Sequence, residues 1–179
     1  MNSPWGLVDD QRVLGPGVLW VNTPSHGGLR VDTRCVSLSA SALRRGIGYG
    51  PIRWYEEDCE YAIACWELPA IWPLLFDGRD VGTVKQQLHE TLSAWDADYL
   101  LEIGVEPEPR AYAGYQQRKI ADEMRSAKHP DLIIAAFAWD TRAGVTRVIT
   151  ADEREYFVTS DSYMIRTPNL LSACQRVEG

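Results

Sequence analysis

Positive charge is what this chain has least of relative to its size: 18 Lys and Arg face 25 Asp and Glu, a net charge of −7. A nucleic-acid binder needs a basic stripe that releases counterions from phosphates. The two densest basic clusters, Arg44, Arg45 and Arg53, then Arg118, Lys119, Arg125 and Lys128, are broken by acids or confined to one helix face. Direct nucleic-acid binding is disfavoured, and the same balance mildly favours binding a basic protein or imitating the charge of DNA. Cysteine is sparse. Cys35, Cys59, Cys65 and Cys174 form no C-x-x-C pair and no zinc-finger spacing. Long apolar runs are missing too, the longest lying around residues 70–76, far short of a membrane span. With no basic-then-apolar leader at the start, the reading is a reduced, cytoplasmic protein with no membrane association.

Catalytic signatures are equally thin. G-x-x-x-x-G-K-[ST], G-x-S-x-G and H-E-x-x-H do not occur. No metal site and no cofactor is assigned, because His26 with nearby carboxylates would lack a second nitrogen ligand. What the chain does have is aromatic surplus: seven Trp and eight Tyr, more than a core of this size requires, so some are expected to line a surface.

Secondary structure follows from periodicity. Residues 17–22 and 29–36 read as strands, and Pro24 to Gly28 between them suits a hairpin loop in which Gly27 and Gly28 supply positive φ. Ser37–Arg45 predicts a short helix stopped by Gly46. In W-Y-E-E-D-C-E-Y-A-I-A-C-W, the apolar positions Tyr55, Cys59, Ala62, Ile63 and Trp66 share one helical face. That reading puts Glu56, Glu57 and Asp58 in a first helical turn, where the dipole favours negative charge. A second helix is expected from a Thr83/Gln86 capping box, with a stripe from Val84 to Tyr99. E-P-E-P at 106–109 is a stiff connector, and a long helix over 110–127 follows. Residues 131–139 read as a strand, and V-T-R-V-I-T with E-Y-F-V-T as a closing hairpin. The expected fold is α+β, antiparallel β-hairpins from both ends of the chain packed with three to four helices. The expected organisation is one domain over 1–179, in which 77–130 could stand as a helical insertion.

One histidine stands out. T-P-S-H-G-G places His26 in a bend beside two glycines, where a ligand can approach closely and where imidazole can act as acid or base. The alternative is that its ring only pins the loop. Glu57 is the acid expected to orient or polarise, provided the bend reaches the E-E-D run. The glycine amides would then donate to an oxyanion. Cys59 reads as core packing, not as a nucleophile, because it lies on the apolar stripe.

The blocks P-W-G, G-V-L-W-V-N-T-P-S-H-G-G-L and W-Y-E-E-D-C-E-Y-A together resemble a family of unknown function carried by phages, plasmids and integrative elements of bacteria. The resemblance spans roughly residues 4–76, with a weaker echo over 131–166, and departs across 77–130. It implies no activity. It implies a setting, a small protein made by a mobile element, and it marks shared positions: Ser25, His26, Gly27, Gly28, Tyr55, Glu56, Glu57, Asp58 and Cys59. Two functions remain open. The first is an accessory protein that binds a host, phage or defence protein, with Ser25, Gly27, Gly28, Tyr55, Glu56 and Asp58 in the binding locale. The second is a small hydrolase or group-transfer enzyme using His26 with Glu57. Partner identity and oligomeric state are not legible.

Overall fold

The computed structural model describes residues 1–48, 50–138, 144–160, 163 and 175–176. Trp139, at the end of the apolar run, and Cys174 lie outside them, as does Tyr49. The chain divides into two compact units, Met1–Glu108 and Pro109–Gly179. Each holds a four-stranded antiparallel sheet, so the fold is α+β with strands at both ends. Six α-helices lie among the described residues, more than the three to four expected.

In the first unit a small hairpin, β1 (Asn2–Ser3) and β2 (Gly6–Leu7), precedes the sheet. The sheet itself has the order β3 (Asp10–Gly15), β4 (Val18–Asn22), β5 (Gly27–Asp32) and β6 (Ile52–Glu56). Strand β3 escapes sequence reading because D-Q-R-V-L-G scarcely alternates. It is an edge strand, exposed along most of its length, and edges tolerate polar residues. Alternation is clear in β5, where Leu29 and Val31 point into the core and are fully enclosed.

Helix α1 (Ala40–Arg45) forms where expected, with Ser39 as its cap accepting the Ala42 N–H at 3.1 Å. Gly46 ends it, but in extended conformation. Its lack of a side chain matters because a Cβ there would lie 2.8 Å from the Tyr55 ring. The expected helix through Tyr55 is corrected: Ile52–Glu56 is a strand, and α2 is the shorter Tyr61–Glu67. Arg, Trp and Tyr after Pro51 suit a half-buried strand, and β6 buries Tyr55 completely. The helical face begins later, with Ala62, Ile63, Ala64 and Cys65 buried.

A 3-10 turn (Pro69–Ile71) and α3 (Trp72–Leu75) follow. The next helix starts earlier than its expected Thr83 cap. Asp80 is the cap, accepting the Thr83 N–H at 2.9 Å, and α4 runs Val81–Trp95. It then breaks at Asp96, whose carboxylate caps α5 (Ala97–Glu102) by accepting the Tyr99 N–H at 3.1 Å. One expected helix is therefore two. Val84, Leu88 and Leu92 of α4, with Tyr99 and Leu100 of α5, belong to the same core cluster as Leu29, Val31 and Tyr55. Residues up to Glu108 thus close the first unit's core. The connector after α5 is tied down as well: His89 Nε2 lies 2.8 Å from the Glu106 carbonyl, and Ser93 Oγ accepts the Glu108 N–H at 2.8 Å.

A polar network fastens the helices of this unit. Glu67 accepts from the Ser39 N–H at 2.6 Å, from the Ser39 hydroxyl, and from the Tyr99 hydroxyl at 2.9 Å. Arg45 pairs with Asp96 and, at 3.0 Å, with Glu102, while Ser41 donates to Glu102 at 2.5 Å. Arg45 first, then Ser41, holds the Glu102 carboxyl down to about 2. Burial, reinforced by the charge of Glu67, pushes the Tyr55 and Tyr99 phenols up.

The second unit contains α6 (Pro109–Ser126) and the strands β7 (Ile133–Ala138), β8 (Val145–Thr150), β9 (Glu155–Thr159) and β10 (Gln175–Arg176). Helix α6 ends through Lys128, which adopts φ of 50° while the His129 N–H returns to the Met124 carbonyl at 2.8 Å. The β8–β9 hairpin closes as expected, Val148 opposite Tyr156. Its core is small: Val148, Tyr156 and Val158, with Ile133, Ala136 and Tyr163 against them.

Candidate functional site

Register in the first sheet decides what the two sequence blocks do. Gly27 pairs with Asn22, Gly28 pairs with Val21 on one side and with Glu56 on the other. Both glycines therefore belong to β5, and the hairpin loop is the four residues Thr23–His26. The loop is held locally. Thr23 Oγ1 donates to the His26 carbonyl at 2.8 Å and accepts the His26 N–H at 3.1 Å, and the Thr23 N–H donates to the same carbonyl at 2.7 Å. Ser25 is exposed at its tip.

The glycines are needed for close approach, which corrects the expected turn role. A Cβ on Gly28 would collide with the Tyr55 carbonyl and stand 2.6 Å from the Trp5 ring. Its φ of 155° also disfavours a side chain. A Cβ on Gly27 would overlap the Glu57 carboxylate and lie 3.0 Å from Asn22 Oδ1. Gly27 thus leaves the seat in which Glu57 rests. Gly28, paired on both flanks, keeps its amide within the ladder, so it is not an oxyanion donor.

The acidic run is also relocated. Glu56 ends β6, and Glu57–Glu60 is a turn, not a first helical turn. The Glu57 N–H donates to the Gly27 carbonyl at 3.1 Å, extending the β5–β6 pairing by one residue. Glu56 Oε2 accepts the Asp58 N–H at 2.7 Å, and its other oxygen stands 3.4 Å from His26 Nδ1. One ligand atom each from His26, Glu56 and Glu57 lies within 4.8 Å of the others. The bend and the acids meet as neighbouring strand ends, across the sheet, and the histidine ring is 52% exposed against 18% for Glu56. Water and ligands can reach it.

The remaining shared positions divide by role. Tyr55 is enclosed and donates its hydroxyl to the Ala42 carbonyl at 3.0 Å, which makes it a core tie beneath the site. Asp58 is exposed beside the cluster. Cys59 leaves the helical stripe assigned to it and sits half-buried in the turn. Burial, with Glu60, Glu56 and Asp58 nearby, pushes its thiol up, the opposite of what a nucleophilic thiolate needs. Cys65 is the buried core cysteine, and burial pushes its thiol up as well. Sequence reading missed two neighbours. Trp5 covers Gly28, and Asn22 lies beside Glu57 with its Oδ1 accepting the Trp20 indole N–H at 3.0 Å. The adjacency of W-V-N to the bend was the available signal for Asn22. No helix of the described residues is long and apolar enough to cross a membrane.

Residues 1–154 match the family described as Domain of unknown function (DUF7007), and the chain belongs to that family. No curated protein and no solved structure matches it.

Proposed function

We propose that this member of the DUF7007 family is a cytoplasmic accessory protein of a phage or other mobile element that binds a basic surface on a host or defence protein. The contact is the corner formed by His26, Glu56, Glu57 and Asp58. One observation supports this above the rest. Glu56, Glu57, Asp58 and Glu60 crowd the end of β6, and His26 is the one base within ion-pair reach of them among the described residues. Such a corner has excess negative potential, and a basic partner complements it. Partly exposed Trp5, which lies over Gly28 beside the corner, is the residue type that anchors interfaces.

The test is capture from host lysate by the wild-type chain and by Glu56→Lys/Glu57→Lys. The expected result is a partner retained at low salt and lost on charge reversal, with the melting temperature kept. Capture of nothing above background, or capture unchanged by the reversal, overturns the reading.

A second reading, hydrolysis or group transfer with His26 as acid or base and Glu57 polarising, is favoured by an open ring 3.4 Å from the Glu56 carboxylate and within 4.8 Å of a Glu57 oxygen. With the Gly28 amide committed to the sheet, this chemistry needs another electrophile. Turnover of ester or phosphodiester reporters by the wild type, abolished in His26→Ala, would support it. Turnover equal in the variant would refute it.

A further inference from the structure

We infer that His26, Glu56 and Glu57 form a binding site for a first-row divalent cation. The inference rests on taking this corner as the working site and adds the ligand that neutralises it. An imidazole nitrogen and two carboxylates are a mixed donor set suited to zinc or manganese. Two carboxylates and a neutral imidazole carry a charge that a dication balances. The separations fit: donors bound at about 2.1 Å to a tetrahedral ion lie about 3.4 Å apart, and His26 Nδ1 to Glu56 Oε1 is 3.4 Å. The third donor, on Glu57, lies within 4.8 Å of both.

Two features beyond proximity point the same way. The Glu57 carboxylate is seated where Gly27 has no Cβ, and it accepts no hydrogen bond from a described residue, so its oxygens are available. Glu56 and His26 are held in place from behind, Glu56 by the Asp58 N–H at 2.7 Å and the histidine loop by Thr23 at 2.8 Å. A metal ligand needs such support to hold its geometry. The set also explains why sequence spacing concealed it. Its donors come from a loop and a strand end some 30 residues apart, joined only by β5–β6 register. Three protein donors with an exposed histidine leave a position open to solvent, the arrangement of sites that bind a further ligand or activate water.

The test is calorimetric titration of the chelator-dialysed full-length chain with zinc, then with manganese. One equivalent is expected to bind, with affinity reduced at least tenfold in His26→Ala and in Glu57→Gln. His129→Ala, which removes an exposed histidine elsewhere, is expected to bind as the wild type. The His26 ring resonances of the wild-type protein should shift or broaden with the same stoichiometry, a readout independent of any variant's folding. Absence of binding by both metals, binding undiminished in His26→Ala, or unperturbed His26 resonances overturns the site. The lysate assay reads separately: capture that depends on Glu57 in a chain that binds no metal refutes the cation and leaves the partner contact standing.

Discussion

Met1–Glu108 and Pro109–Gly179 are both sheet-and-helix units, yet they are built to different depths. In the first, helices cover one sheet face and the core runs from Leu14 to Leu100. In the second, Val148, Tyr156 and Val158 form the buried cluster, and no residue of α6 is buried. The polar contacts differ in the same way. Glu67 and Arg45 each join several elements of the first unit, whereas in the second Arg147–Glu155 and Arg154–Asp152 stay within one hairpin and Arg154 reaches outside it to Asp131, just before β7. A deep core makes fixed positions, and the His26–Glu56–Glu57 corner sits at the end of the sheet that this core supports. The lesson is that precise side-chain geometry belongs where strand ends are anchored by enclosed neighbours such as Leu29 and Tyr55.

The widest gap between the units should appear on truncating core residues. Leu88→Ala is expected to destabilise the first unit by about 2–5 kcal/mol, measured by denaturant unfolding followed through tryptophan emission. Equal loss of protection in both units by hydrogen exchange would mean that they unfold as one. Gly28→Ala comes next, at about 1–3 kcal/mol, because the added Cβ meets the Tyr55 carbonyl and Trp5. A neutral result would show that β5 and β6 separate easily. Val148→Ala is expected to lower hydrogen-exchange protection in β8 and β9 while leaving β4 and β5 unchanged. Loss of protection in β4 would couple the units and break the comparison.

A smaller effect is pH-dependent. Arg45 and Ser41 hold Glu102 at about 2, and Arg34 holds Asp32 at about 2. Both lie below the unfolded carboxylate range of about 4. A depressed carboxyl contributes stability that is complete above the unfolded value and is lost as pH falls through the folded one. Stability of the first unit should therefore decline from about pH 4.5 toward about pH 2, and Glu102→Gln should flatten that decline. An unchanged slope in the variant would show that the Arg45 pair is not responsible.

Much of this architecture is readable from pattern. Gly46 stops α1, though its start is Ala40 and not Ser37, V-T-R-V-I-T with E-Y-F-V-T gives the β8–β9 hairpin, and the run around Ile133 gives β7. The failures have particular causes. Tyr55 and Cys59 happen to fall at helical spacing from Ala62, so the period extends backward over residues that are a strand and a turn. Asp96 both ends α4 and caps α5, a break that an uninterrupted apolar stripe conceals. The two glycines read as turn residues because local sequence cannot see Glu57, Tyr55 or Trp5 approaching from other segments. The bend and the acidic run were expected to meet through a helix start. They meet through strand pairing, a long-range fact that neither block contains.

The working role of the corner is tested most directly by the melting temperature of Glu57→Gln. If the carboxylate is there to engage a ligand, its neutralisation relieves repulsion from the neighbouring Glu56 carboxylate and leaves the fold as stable or more so. The expected result is a transition unchanged or raised. A fall of about 3 °C or more, corresponding to roughly 1 kcal/mol for a chain of this size, would show that Glu57 fastens β5 to β6 and that the corner is a structural lock.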